Sequence, residues 1–274
     1  ALERAGRPLA AFVVAVGFML LAMVRVRLGT HVTYLGKNYA VLSIDPFAPD
    51  PANPVAYRIL TPLLSWCIGL RGRNLIWTNL LIATVLLALV YLWMRGRAHP
   101  PGRALLGVAA MAFTMTTLTT IHYGGYCDSL TYVLIFLAWR ARKRVALAST
   151  LFFLALLNRE SAAFLLPWLW FEMAIPPPRP SVRPRAWGRA GAGLAAALAA
   201  FVAARAGLAA LNPGVQYSAS YYLAPLLKNP LVWYHDAIPH QARGVFAAFG
   251  LFWIYPVVAI VDHLRRRAFT PAGS

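Results

Sequence analysis

Eight carboxylates in a chain of 274 residues can be weighed one at a time. The densest polar group is Asn158-Arg159-Glu160-Ser161, which interrupts two apolar runs. Charges in such a setting are costly unless partnered, so they count as a functional hypothesis by default. Arg159 has the planar fork that holds a phosphate through two hydrogen bonds at once. Glu160 would orient that phosphate or a sugar hydroxyl, with Asn158 beside them as a further binding group. The competing reading is structural: the pair binds other buried groups and holds a turn. Asp128 follows Gly124, Gly125 and Tyr126 at the start of an apolar run. It reads either as a helix N-cap, accepting free backbone N–H groups, or as a site residue with His122 close in sequence. Asp45 and Asp50 lie in SIDPFAPDP. Asp before Pro is an ordinary turn signal, yet a carboxylate held over a membrane surface can take the proton of an acceptor hydroxyl as general base. Asp45, with Ile44 and Phe47 as apolar neighbours, is better placed for this than Asp50. Arg58, in AYRILTP, either snorkels to headgroups or supplies a second phosphate ligand. His235 and Asp236 are adjacent and would not face each other as a dyad, so His235 is kept as a binding candidate. His122, Asp128, His235, Asp236 and His240 share no recognised metal-ligand spacing. No metal ligand is therefore assigned, and a divalent metal stays an open option as cofactor. No nucleophile elbow, zincin, P-loop or dinucleotide signature occurs.

The elements that must position these groups follow from composition. Hydrophobic residues make up 60% of the chain and charged residues only 12%, against about 25% in ordinary domains. The net charge is nonetheless +18. A soluble domain with so little charge would expose apolar surface everywhere, and a disordered chain would be polar. A nucleic-acid binder would not be so apolar, so no nucleic-acid partner is expected. What remains is an all-α polytopic membrane protein, in which basic residues mark loops and apolar runs mark spans. Expected spans are Pro8–Val24, Asn74–Met94, Ala104–Ile121, Leu130–Trp139 (starting near Tyr126), Ala190–Leu211 and Gly244–Val261. The Thr-rich TMTTLTT in the third can bond back to helical carbonyls. Tyr57–Leu70 is too short to cross and reads as interfacial or re-entrant. Val145–Ala174 is either one tilted span or a broken hairpin. Its flanking loops, RARKR and IPPPRPSVRPRAWGR, are both strongly basic, and the positive-inside rule places them on one side, which favours the hairpin. The expectation is thus about six full spans plus a broken helical hairpin, or roughly six to eight membrane segments. They form a single transmembrane domain over 1–274, with outer loops of about 29–73 and 212–243 that carry short interfacial helices. Most of the 26 basic residues then mark the inner side, with both termini inside. Asp45, Asp50, Asp128, Glu160 and Asp236 gather at the outer side.

A first outer loop with an Asp, the interfacial YRILTPLL, the helix start DSLTY and the segment LLNRESAAFLLPWL are together similar to bacterial integral-membrane proteins related to the C-type-fold glycosyltransferases. The resemblance covers about residues 8–175 and the general shape of the last loop. It implies a membrane glycosyltransferase in a bacterial inner membrane, using a sugar linked to a lipid phosphate of polyprenyl type at the outer face. By the same resemblance Asp45 would be the loop carboxylate, and Arg58 and Arg159 the phosphate side. The chain lacks a D-x-D in the first loop and a soluble outer domain. Two other readings stand beside this one: a non-catalytic membrane scaffold or anchor for other membrane subunits, and a transporter. The transporter ranks last because the inner half offers almost no buried acids and no internal repeat is visible.

Overall fold

The structure, a computed structural model, describes residues 2–26, 28–29, 31–32, 35–47, 55–174 and 184–211. Asp50, His235, Asp236, His240, the second outer loop and the last expected span lie outside them. Every regular element among the described residues is helical. In chain order these are α1 (Leu2–Arg25), α2 (Leu35–Leu42), α3 (Leu60–Cys67), α4 (Leu75–Gly96), α5 (Pro101–Ala112), α6 (Met115–His122), α7 (Asp128–Arg140), α8 (Val145–Asn158), α9 (Leu166–Ala174) and α10 (Pro184–Leu211). Short 3-10 turns at Gly72–Asn74 and Glu160–Leu165 lead into α4 and α9. Three helices are long and apolar enough to cross a membrane, over Arg7–Arg25, Gly72–Gly96 and Arg185–Ala210. The shortest, at 19 residues, spans about 28 Å at 1.5 Å per residue, close to the ~30 Å hydrocarbon core.

The described helices fall into two compact units. One holds residues 2–25 and 87–118. There α1 turns Ala11, Ala15, Met19 and Ala22 inward and leaves Leu9, Val13, Leu20 and Val24 exposed. It meets α5, whose buried residues are Ala104, Val108 and Ala112. Small residues on both helices let the backbones approach closely, and large apolar side chains facing outward are what a lipid environment favours. The third expected span is not straight: Pro101–Ala112 and Thr116–His122 make an angle of 52°. Thr114 Oγ1 and Thr117 Oγ1 both donate to the Met111 carbonyl, at 2.8 and 2.9 Å. The anticipated back-bonding thus coincides with a bend, because hydroxyls that capture a carbonyl compete with the helical ladder.

The second unit holds residues 26–86 and the described part of the chain from 119. Its core is Ala138, Ala148, Phe152, Ala155, Leu156, Leu169, Ala190, Leu194 and Ala197, drawn from α7 to α10. α8 ends at Asn158 because Arg159 is extended, with φ −157° and ψ 116°. The 3-10 turn then reverses the chain into α9. Glu172, near the end of α9, accepts a hydrogen bond from Trp139 Nε1 at 2.9 Å. The same carboxylate stands 3.3 Å from Arg142 Nε, a charge contact without hydrogen-bond alignment. The segment from Val145 to Ala174 therefore returns to the end it left, as a hairpin does. α10 runs beside both arms: Trp170 Nε1 donates to the Trp187 carbonyl at 3.2 Å, and Gly193 lies against Val145 and Ser149. Lys143, Arg144, Arg185 and Arg189 gather at this end of the unit, and the Arg159–Glu160 turn lies at the other.

Candidate functional site

The turn end of the second unit is assembled around Asn158. Its Oδ1 accepts from Thr61 N at 3.1 Å and from Thr61 Oγ1 at 2.6 Å. Its Nδ2 donates to the Cys127 carbonyl at 2.7 Å and to Thr131 Oγ1 at 2.8 Å. An amide has two acceptor and two donor positions, and all four are filled by protein. Buried Asn158 thus staples the starts of α3 and α7 to the end of α8. That position brings the next two residues against the first loop and the start of α7.

Arg58 and Glu160 form a two-pronged ion pair across 102 residues of sequence. Nε donates to Oε2 at 2.8 Å and Nη2 to Oε1 at 2.6 Å. Nη1 donates to the Tyr39 hydroxyl at 3.0 Å. The side chains are 14% and 32% exposed, so the pair faces a partly dry space where such geometry is effective. Burial alone would lower Arg58, but its hydrogen bond to Glu160 and the neighbouring charges outweigh that and hold it firmly protonated. Burial pushes the Tyr39 hydroxyl up to about 12 against the opposing charge of Arg58. Arg58 therefore uses three of its donors within the protein and its place is set from two sides.

Arg159 pairs with Asp128. Asp128 is the first residue of α7, and the cap position belongs to Cys127, with no side-chain cap bond. The N-cap reading of Asp128 thus gives way to an ion-pair role. Tyr126 lies within electrostatic reach of Arg159. His122 follows at one remove, edge-on to Tyr123 with centroids 4.8 Å apart, while Tyr123 meets Tyr126 at 5.5 Å. The His122 side chain itself is exposed. A fifth charge, absent from the expected site, is Arg205 on α10. It stacks over the Tyr57 ring at 4.8 Å, and its charge acts on Glu160. The signal for it was present in the sequence as a lone charge within a long apolar run.

Asp45 is placed differently. It lies on the exposed turn after α2, where its Oδ1 accepts from the Phe47 backbone N–H at 3.3 Å, and among the described residues it is in no ion pair. The site thus brings together Asn158, Arg159, Glu160, Arg58 and Asp128, with His122 two rings away and Asp45 on a separate turn. His235 lies outside the described residues. No group of three or more His, Cys, Asp or Glu side chains able to hold a metal ion is present among the described residues.

Glycines make the approach of the first loop possible. A Cβ on Gly124 would stand 2.6 Å from the His31 carbonyl and 2.7 Å from that of Gly29, and Gly125 (φ +92°) packs on Gly36. Gly29 N also donates to the Ile121 carbonyl at 2.9 Å. Backbone therefore lies directly on backbone between α2 and the turn before α7. Comparison with protein families, with curated proteins and with solved structures gives no match for this chain.

Proposed function

We propose that the protein is a membrane glycosyltransferase that takes its sugar from a lipid-phosphate donor of polyprenyl type. The observation that carries this reading is the charge cluster of Arg58, Arg159, Arg205, Asp128 and Glu160. Three arginines against two carboxylates leave one positive charge uncompensated in a half-buried space, as a phosphate-bearing ligand requires. Arg58 is engaged on three donors. Arg159 carries five N–H donors by its chemistry and pairs with Asp128 through Nη1, so it is the better phosphate ligand. Glu160 and Asp128 are held by arginines, and taking up a proton would weaken those pairs. The general-base role therefore falls to Asp45, which among the described residues is in no ion pair. Positioning and charge stabilisation of the leaving phosphate would supply most of the rate. On this reading the cluster faces the outer side of a bacterial inner membrane and both termini are cytoplasmic. About six full spans and the hairpin, six to eight segments in all, complete the transmembrane domain.

The test uses the purified chain in lipid nanodiscs. Wild type should bind polyprenyl phosphate in preference to polyprenol, and Arg159→Gln should lose that preference by roughly tenfold, the scale of one charge-assisted hydrogen bond. Asp45→Asn should leave binding intact and abolish sugar transfer. Equal binding of the phosphate and the alcohol by wild type would overturn the proposal. A second reading, a non-catalytic scaffold for other membrane subunits, is favoured by one observation: the arginines and acids of the cluster pair with each other. It would be supported if the charge exchange Arg58→Glu with Glu160→Arg restored complex assembly lost in each single variant, with no effect traceable to a phosphate lipid.

A further inference from the structure

A second feature of the same unit lies away from the charge cluster. A groove of about 630 Å³ follows the seam of α8 and α10, lined by Ser149 and Phe153 on one side and by Gly193, Ala196 and Ala200 on the other, with Arg189 at one end. Its polarity changes along its length. The Arg189 end is strongly basic, because exposed Lys143 and Arg144 immediately precede α8 and exposed Arg185 lies one turn before Arg189. The acid at that end, Glu172, is taken up by Arg142 and Trp139. Beyond the basic end the lining is aliphatic and aromatic, apart from the hydroxyls of Ser149 and Thr150. Ser149 Oγ is buried and has no hydrogen-bond partner among the described residues, although a buried hydroxyl normally finds one. From Arg189 to Ala200 the helix rises about 16 Å at 1.5 Å per residue, about half of the ~30 Å hydrocarbon core. The groove therefore has the depth of one leaflet.

We propose that this groove seats one acyl chain of an anionic phospholipid. The lipid phosphate is held by Arg189 and the neighbouring cations. Ser149, one turn into α8 from Val145, packs on Gly193 and forms the floor between the two helices. The small residues of α10 leave the width that the chain fills. Charge complementarity selects the occupant: a zwitterionic lipid would bring a cation against four others, whereas an anionic headgroup meets them with a net charge of opposite sign.

The experiment uses the delipidated full chain, titrated with phosphatidylglycerol or phosphatidylcholine and read by native mass spectrometry. Wild type should retain one phosphatidylglycerol in preference to phosphatidylcholine. Arg189→Gln should weaken that retention about fivefold, the effect of one cation near a lipid surface. Ala196→Leu, which places bulk at an exposed position of the groove wall, should abolish it while the melting temperature is kept. Ala200→Leu serves the same purpose if the first variant does not fold. Equal retention of the two lipids, or unchanged retention in both groove-filling variants, overturns the proposal. So does an Ala196→Cys variant that, in a Cys67→Ser background, forms disulfide-linked dimers regardless of phosphatidylglycerol, because the groove would then receive a second copy of the chain. None of these outcomes depends on Arg159 or Asp45, so the groove and the charge cluster stand or fall separately.

Discussion

Asn158 shows how one residue sets the geometry of a site. Four hydrogen bonds tie it to Thr61, Cys127 and Thr131, and it is 1% exposed. Replacing it with Leu would strand the Thr61 N–H and the Cys127 carbonyl in an apolar setting, at about 1–3 kcal/mol for each unsatisfied group. Asn158→Leu should therefore lower unfolding stability by roughly 3 kcal/mol, seen as a clear drop in the thermal midpoint in detergent. Asn158→Asp, which keeps the acceptor side, should lose less of the midpoint than Leu if the Thr61 contacts dominate. A midpoint unchanged in Asn158→Leu would show that the staple is not what joins α3 and α7 to α8. The two ion pairs depend on the staple for their reach, since Arg159 and Glu160 are the next two residues in the chain.

At the level of elements, the first loop reaches the cluster because glycines remove the side chains that would hold it away. Gly36, the second residue of α2, lies on Gly124 and Gly125. A methyl group there has backbone rather than a flexible side chain to displace, so overpacking should cost about 1–3 kcal/mol. Gly36→Ala and Gly124→Ala are each expected to lower the thermal midpoint and to shift Tyr39 away from Arg58. The intrinsic fluorescence of a single-Trp background, or crosslinking between 39 and 58, would report the shift. Gly96→Ala, where a Cβ would meet nothing, is the control and should be neutral. The bend at Met111 is a second element-level device: it arises from two hydroxyls on one carbonyl and leaves α5 and α6 as separate short helices.

At the scale of the whole molecule, the hairpin determines which loops share a side. Arg142 and Glu172 meet across it, so the loops before α8 and after α9 leave from one end of the unit. Phe164, at the turn, is 87% exposed at the opposite end. Single cysteines at Lys143 and Arg185 should label from one face of a sealed membrane, and one at Phe164 from the other or not at all. Cys67 is exposed and must first become Ser, whereas Cys127 is buried and can remain. Labelling of positions 143 and 185 from opposite faces would require Val145–Ala174 to cross once, against the observed fold.

The helical membrane class was legible in composition, since so few charges among so many apolar residues leave no other way to satisfy a backbone. The break at Asn158–Ser161 was legible too, because charged residues between two apolar runs must end one helix and begin another. The hairpin followed from a count of basic residues on its two flanks. Hydropathy and charge placement are local properties, and these features are local or depend only on sidedness. The tertiary structure alone decided the partners. Arg58 and Glu160 are 102 residues apart, and nothing in the spacing says that Glu160 takes Arg58 while Asp128 takes Arg159. The same is true of Asn158, whose amide is filled by three residues of α3 and the start of α7, and of Asp45, which among the described residues pairs with none of the arginines it was grouped with. Pairing depends on the path of the chain through space, which close-packed glycines and a single buried amide determine here, and no periodicity in the sequence records that path.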